Sequence, residues 1–113
     1  MIFKIVERSA WRDACREGTY RGSAVDLSDG FIHFSAAHQV RETAAKHFKG
    51  IADLLLVAVD EAAIADALVW EPSRGGALFP HLYGVLPTAH ALWEKPLPLN
   101  EDGIPIIPED VAA

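Results

Sequence analysis

Three pairs of residues have types and spacings suited to a ligand site: His33 with Ser35, Glu71 with Arg74, and His81 with Tyr83. In the first and third, polar residues lie two apart, which on a strand puts both on one face. If the two strands face one cleft, two imidazoles, a hydroxyl and a phenol converge, with Phe31 and Phe79 as apolar lining. A mostly apolar cleft with a few convergent polar groups is how small-molecule sites are built. Each pair also has a plainer reading. A histidine such as His33, among large apolar residues, is more often a core residue satisfied by a backbone carbonyl. Tyrosine often packs at a core edge, and Glu71 with Arg74 across a turn makes a surface ion pair of little energetic weight.

Five histidines raise the question of a metal. No two of them have the i, i+4 helical spacing of a zinc protease. Cys15 is the only cysteine, which excludes a four-thiolate zinc site and an internal disulfide. A set of His33, His81 and Glu71 would arise only through folding, so no metal is expected. A Cys–His nucleophile is disfavoured because Cys15 falls on the apolar side of its helix.

The elements that position these residues centre on Asp29 to Val40. Asp29-Gly30 is a turn dipeptide. Phe31 to Ser35 alternates as a strand. Ser35 suits the N-cap of a helix from about Ala36 to Lys49, and a helix N-terminus favours an anion such as phosphate. Before this stretch lie a strand at Ile2–Val6 and a helix from Ser9 to about Glu17, closed by Gly18. Residues 18 to 30 read as a glycine-rich loop, ordered by Tyr20 and Val25, that covers a ligand. After it, Leu54 to Val59 is an uninterrupted apolar run, as in a strand buried on both faces. Asp60 caps a short helix to about Ala67, and Leu68–Glu71 is a strand. Leu78–Gly84 is another, placed at an edge or bulge by Pro80. Ala91–Lys95 is the last. Strands broken by two or three helices, without regular alternation, indicate an α+β fold with a mainly antiparallel sheet.

At 113 residues the length fits one domain. Residues 1–95 form it, and 96–113 are a Pro-rich extension packed on it or frayed from residue 108. The net charge of −6 argues against a duplex-DNA binder. Residues 1–49 carry eight Lys/Arg and six Asp/Glu, whereas 50–113 carry two and ten. Two solvated faces account for this; so does a neutral-to-positive cleft in the first half that suits a phosphorylated small molecule. No apolar run spans a membrane, and the first residues lack the pattern of a signal peptide, so a cytoplasmic location is expected.

Asp29-Gly-Phe-Ile-His-Phe-Ser35, Gln39, Thr43, the Leu-rich run ending at Asp60, Glu71, and Phe79-Pro-His-Leu-Tyr-Gly84 together resemble a small bacterial family. It is the domain-of-unknown-function family numbered nine-five-two, and the likeness covers roughly residues 2–95. That family is grouped with ADP-ribosyltransferase-like folds. The strand–helix–strand run from Phe31 to Asp60 is also similar to the RNA 2′-phosphotransferase branch, with a His-x-Ser strand and an apolar strand ending in Val-Asp. The resemblance implies a split antiparallel sheet and NAD or a related nucleotide as ligand, with ADP-ribose transfer as the activity. It implies His33, His81 and Glu71 as catalytic residues, and Arg8, Ser35, Tyr83 and Arg74 as cofactor-binding residues. His33 would bond a ribose hydroxyl, Ser35 the amide or ribose, Tyr83 would stack, and Arg8 would hold phosphate. Glu71 would face the positive charge that develops on the sugar as the nicotinamide–ribose bond breaks. No acceptor is identifiable. The rival class is a non-catalytic binding module on the same fold. A third is an interaction domain whose histidines are merely packed.

Overall fold

A computed structural model describes residues 1–111; the side chain of Arg74 is not described. In chain order the elements are β1 (Ile2–Glu7), α1 (Arg8–Glu17), β2 (Thr19–Tyr20), α2 (Ala24–Asp29), β3 (Ile32–His33) and α3 (Val40–His47). Then follow β4 (Leu54–Val59), a 3-10 helix (Glu61–Ala67), β5 (Leu68–Pro72), β6 (Leu78–Leu82), β7 (Leu86–Pro87) and β8 (Ala91–Leu97). The architecture is α+β, with antiparallel sheets and a few short helices.

The first sheet has the order β1-β4-β8, with β4 central. All six residues of β4 are buried because both faces are covered. Leu55, Val57 and Val59 join Ile2 and Val6 in one core, with Trp11 and Ala14 of α1 and Ile32, Phe34 and Leu82. Leu54, Leu56 and Ala58 join Phe3 and Ile5 in the other, under Val40 and Ala44 of α3 and Leu97, Ile107 and Val111. The chain after β8 thus covers part of the second face. It turns at Asn100, whose Oδ1 accepts from the backbone N–H groups of Asp102 and Ile104.

A second sheet has the order β3-β6-β5. It meets the first at a single antiparallel bridge, Phe3 with Ser35, whose backbones exchange two hydrogen bonds of 2.8 Å. The chain therefore leaves β6 after His33 and joins β1 two residues later. Pro80, expected at an edge or a bulge, sits within a central strand, next to this divergence. Its carbonyl accepts from Phe34 N–H at 3.0 Å, and on the same side its missing N–H faces the point where β3 departs.

Two other expectations are corrected. Residues 18–30 are not a loop. Thr19 and Tyr20 pair with Pro87 and Leu86, and Ser23 starts α2 with a capping box to Asp26. Tyr20 is buried, but Val25 is exposed. Ser35 does not cap α3, which begins four residues later than expected. The Gln39 side chain accepts the Ala36 N–H at 2.9 Å, and the Ser35 hydroxyl meets Thr43 Oγ1 at 3.1 Å. The anion-binding helix end expected at Ser35 is therefore absent.

Leu56 is fully buried at the centre of β4. Leu56→Ala is expected to lower the unfolding free energy by about 2–5 kcal/mol, with the transition still cooperative. Urea unfolding followed by tryptophan fluorescence measures it.

Candidate functional site

The second sheet has one face in the core, built by Ile32, Phe34 and Leu82. Strand alternation sends their neighbours His33 and His81 to the other face. The register sets His33 directly opposite His81, with ring centroids 5.4 Å apart in an edge-on contact. Phe31 lies against both, 4.6 Å from the His33 ring and 4.1 Å from the His81 ring. It also lies 5.2 Å from Tyr83. Four of the aromatic and imidazole groups singled out by the sequence thus form one cluster. His81 is buried within it, His33 is about one-third exposed, and Tyr83 about half.

Each imidazole is fixed by carboxylates. His81 Nδ1 bonds Glu71 Oε1 at 2.7 Å, and the same oxygen accepts from the Tyr83 hydroxyl. Those hydrogen bonds, from Tyr83 and then His81, hold the Glu71 carboxyl below the usual carboxylate range, and the Tyr83 phenol is raised in turn. His33 Nδ1 meets Asp26 Oδ1 at 2.6 Å and its Nε2 meets Asp29 Oδ2 at 2.9 Å. A neutral ring has one N–H and satisfies one of these two carboxylates.

Asp26 was not foreseen as a site residue, and neither was Lys4. The Asp26 carboxylate is 1% exposed and pairs with Lys4 Nζ at 2.9 Å. It also accepts from the backbone N–H groups of Ser23 at 2.8 Å and His33 at 3.1 Å. Burial alone would raise its pKa. The Lys4 charge and the bonds from Ser23, Lys4 and His33 outweigh that and hold it below the ordinary range. Burial pushes the Lys4 ammonium the other way from its partner's pull, to a lowered pKa. Gly22 makes room for the carboxylate: a Cβ there would lie 2.7 Å from the Asp26 Cβ.

The remaining expected residues stand apart. Arg8 pairs with Asp53 at 2.8 Å, and their backbones also bond. Arg8 follows the far end of β1 from the Phe3–Ser35 bridge, so Lys4 is the β1 cation that reaches Asp26, the carboxylate bonded to His33. Ser35 is buried and turned to Thr43. The Arg74 side chain lies outside the described residues. The cleft expected over both imidazoles is instead a sheet face on which Phe31 is packed. Beside it is a groove of about 200 Å³ lined by Arg21, Asp26, Leu27, Gly30, Phe31, Ile32 and Gly84. Among the described residues no cluster of His, Cys, Asp and Glu has a metal-holding arrangement.

Comparison with known proteins shows the family. The profile of a family described as proteins of unknown function (DUF952) matches residues 5–94. The chain belongs to that family. This DUF952 protein is similar to CC0527 from Caulobacter crescentus. The crystal structure of CC0527 is 50% identical, with a TM-score of 0.90 over 93% of this chain and 92% of that one. A crystal structure of a double mutant of CC0527 gives the same values. The solution NMR structure of CC0527 is 51% identical, with a TM-score of 0.83 over 92% of this chain and 90% of that one. Among curated proteins no relative matches. Among the described residues of this DUF952 protein no helix is long and apolar enough to cross a membrane.

Replacing Asp26 by Asn should cost roughly 3–5 kcal/mol at neutral pH, because Lys4 is left charged and buried without its counter-ion. Since the folded Asp26 pKa is depressed, its contribution is present above the unfolded value near ~3.9 and is lost as pH falls through the folded value. Denaturant titrations from pH 7 down to pH 2 should therefore show a shallower acid limb for Asp26→Asn than for the parent. Lys4→Met with Asp26→Asn should cost less than the two single changes added together.

Proposed function

We propose that the outer face of the β3-β6-β5 sheet binds NAD or a related nucleotide, on an ADP-ribosyltransferase-like fold, with transfer of ADP-ribose as its activity. The observation that carries this reading is the cross-strand His33–His81 pair. Two carboxylate-anchored imidazoles share one face with the rings of Phe31 and Tyr83. The split of the antiparallel sheets at Ser35 supports the fold assignment.

The residues fit such a ligand at several points. Phe31 and Tyr83 offer planar surfaces for a nicotinamide or adenine ring. Nε2 of His81 has no partner among the described residues. Asp29 is about half exposed, so a ribose hydroxyl can take its place on His33. Arg8, given the phosphate-holding role by the resemblance, stands apart from this face, at the far end of β1 and paired with Asp53.

NAD, when bound, supplies a glycosidic bond whose cleavage puts positive charge on the ribose. On that view the chain's own residues act by position. Asp26 holds the His33 ring in place, since it is itself held by Lys4 and the α2 cap. The Glu71 carboxylate, kept ionised by its two donors, sets a fixed negative charge beside the stacked ring. Tyr83 and His81 hold that carboxylate still, and Phe31 packs against the His81 ring.

A second reading, binding without turnover, is favoured by one observation. Both nitrogens of His33 and one oxygen of Glu71 are already engaged by protein groups. Calorimetric titration with NAD, ADP-ribose and nicotinamide is expected to show saturable binding of NAD and ADP-ribose. Nicotinamide release then separates the two readings. His33→Ala should remain folded and bind at least about tenfold more weakly, the loss of one good hydrogen bond to a polar ligand. If the variant unfolds and the parent binds none of the three, His33 is a packing residue and the proposal fails.

A further inference from the structure

The groove beside Phe31 is built differently from the imidazole face. Its volume, about 200 Å³, is below the ~300 Å³ at which whole ligand pockets begin. It is therefore sized for part of a ligand. Phe31 belongs to both regions: it lines the groove and it lies on the His81 ring. Whatever stacks on the Phe31 side of the imidazole pair extends naturally into the groove.

Arg21 lines that groove. Five of the other seven cations in the chain's first half are held in ion pairs. Lys4 is tied to Asp26, Arg8 to Asp53, Arg12 to Glu94, Arg16 to Asp13 and Lys46 to Glu42. Arg21 has no ion pair or hydrogen bond among the described residues. The one acid on the groove wall, Asp26, is matched by the Lys4 ammonium, and its oxygens are taken by Ser23 and His33. An anion entering the groove meets a guanidinium with its donors unspent and a carboxylate whose charge is already compensated. Gly30 and Gly84 on the same walls carry no side chain to crowd it, and a Cβ at either would meet nothing within 4 Å.

We infer that this groove is a phosphate subsite, with Arg21 as the residue that holds the phosphate of a ring-bearing nucleotide lying on Phe31. The inference deepens the nucleotide-binding reading and rests on it. It assigns to Arg21 the role that the resemblance gave to Arg8, and it predicts selection for the phosphorylated form of a ligand over the bare nucleoside.

The test compares nicotinamide mononucleotide with nicotinamide riboside, and AMP with adenosine, by calorimetry on the parent and on two variants. The parent should bind each phosphorylated form at least about tenfold more tightly than its nucleoside, as a charge-assisted guanidinium–phosphate contact gives. Arg21→Gln should erase that ratio while leaving nucleoside affinity and the melting temperature unchanged, since Arg21 is exposed and makes no internal bond. Arg8→Gln should keep the ratio. If the ratio survives in Arg21→Gln, or if the parent binds both forms equally, the subsite is refuted and the nucleotide reading stands. If the parent binds none of the four ligands, nor NAD or ADP-ribose, the nucleotide reading is refuted and the subsite falls with it.

Discussion

One buried carboxylate ties together the region on which the proposed function rests. Asp26 takes hydrogen bonds from the ammonium of Lys4, the backbone of Ser23, and both the backbone and ring of His33. It thereby adds a buried polar tie between β1, the start of α2 and β3, beside the Phe3–Ser35 bridge and the shared core. A charge this deep is tolerated because its lone pairs are filled and a counter-ion stands beside it. The arrangement fixes the His33 ring, and through the cross-strand pairing it fixes the setting of His81 as well. Glu71 and Tyr83 complete the same logic on the next strand, closer to solvent.

The parts of the fold legible in the sequence are those set by local signals. The apolar run Leu54–Val59 is a strand buried on both faces because nothing in it tolerates water. Gly18 closes α1 with the left-handed conformation that glycine allows. The two-residue spacing in Phe31-x-His33 and His81-x-Tyr83 was enough to place all four rings on strand faces. That the two faces are the same one depends on the β3–β6 register, and no local pattern specifies which strands pair.

What was not legible follows from the same distinction. Lys4 sits between Ile2 and Val6 on the core-facing side of β1, while Arg8 lies beyond the strand's end. A reading by chain position favours the arginine; a reading by face favours the lysine, whose partner lies 22 residues away. The Ser23-x-x-Asp26 signature of a helix start was present, but the glycines around it suggested an open loop. Pro80 pointed to an edge or a bulge because a missing donor is usually harmless only there. In this fold Pro80 lies where β3 departs, its carbonyl still taking the Phe34 N–H.

The first sheet has a temporal consequence. Its central strand lies between the earliest strand of the chain, β1, and the latest, β8. The second face of that strand is closed in part by Leu97, Ile107 and Val111. A chain emerging from the ribosome amino end first can pair β1 with β4 midway through synthesis. Until β8 and the segment carrying Ile107 and Val111 dock, one edge and part of one apolar face stay open. Contacts so distant along the chain slow folding, and an exposed apolar strand edge invites other chains to pair with it. The chain is therefore most open to aggregation while β8 and the segment carrying Ile107 and Val111 have yet to dock on β4.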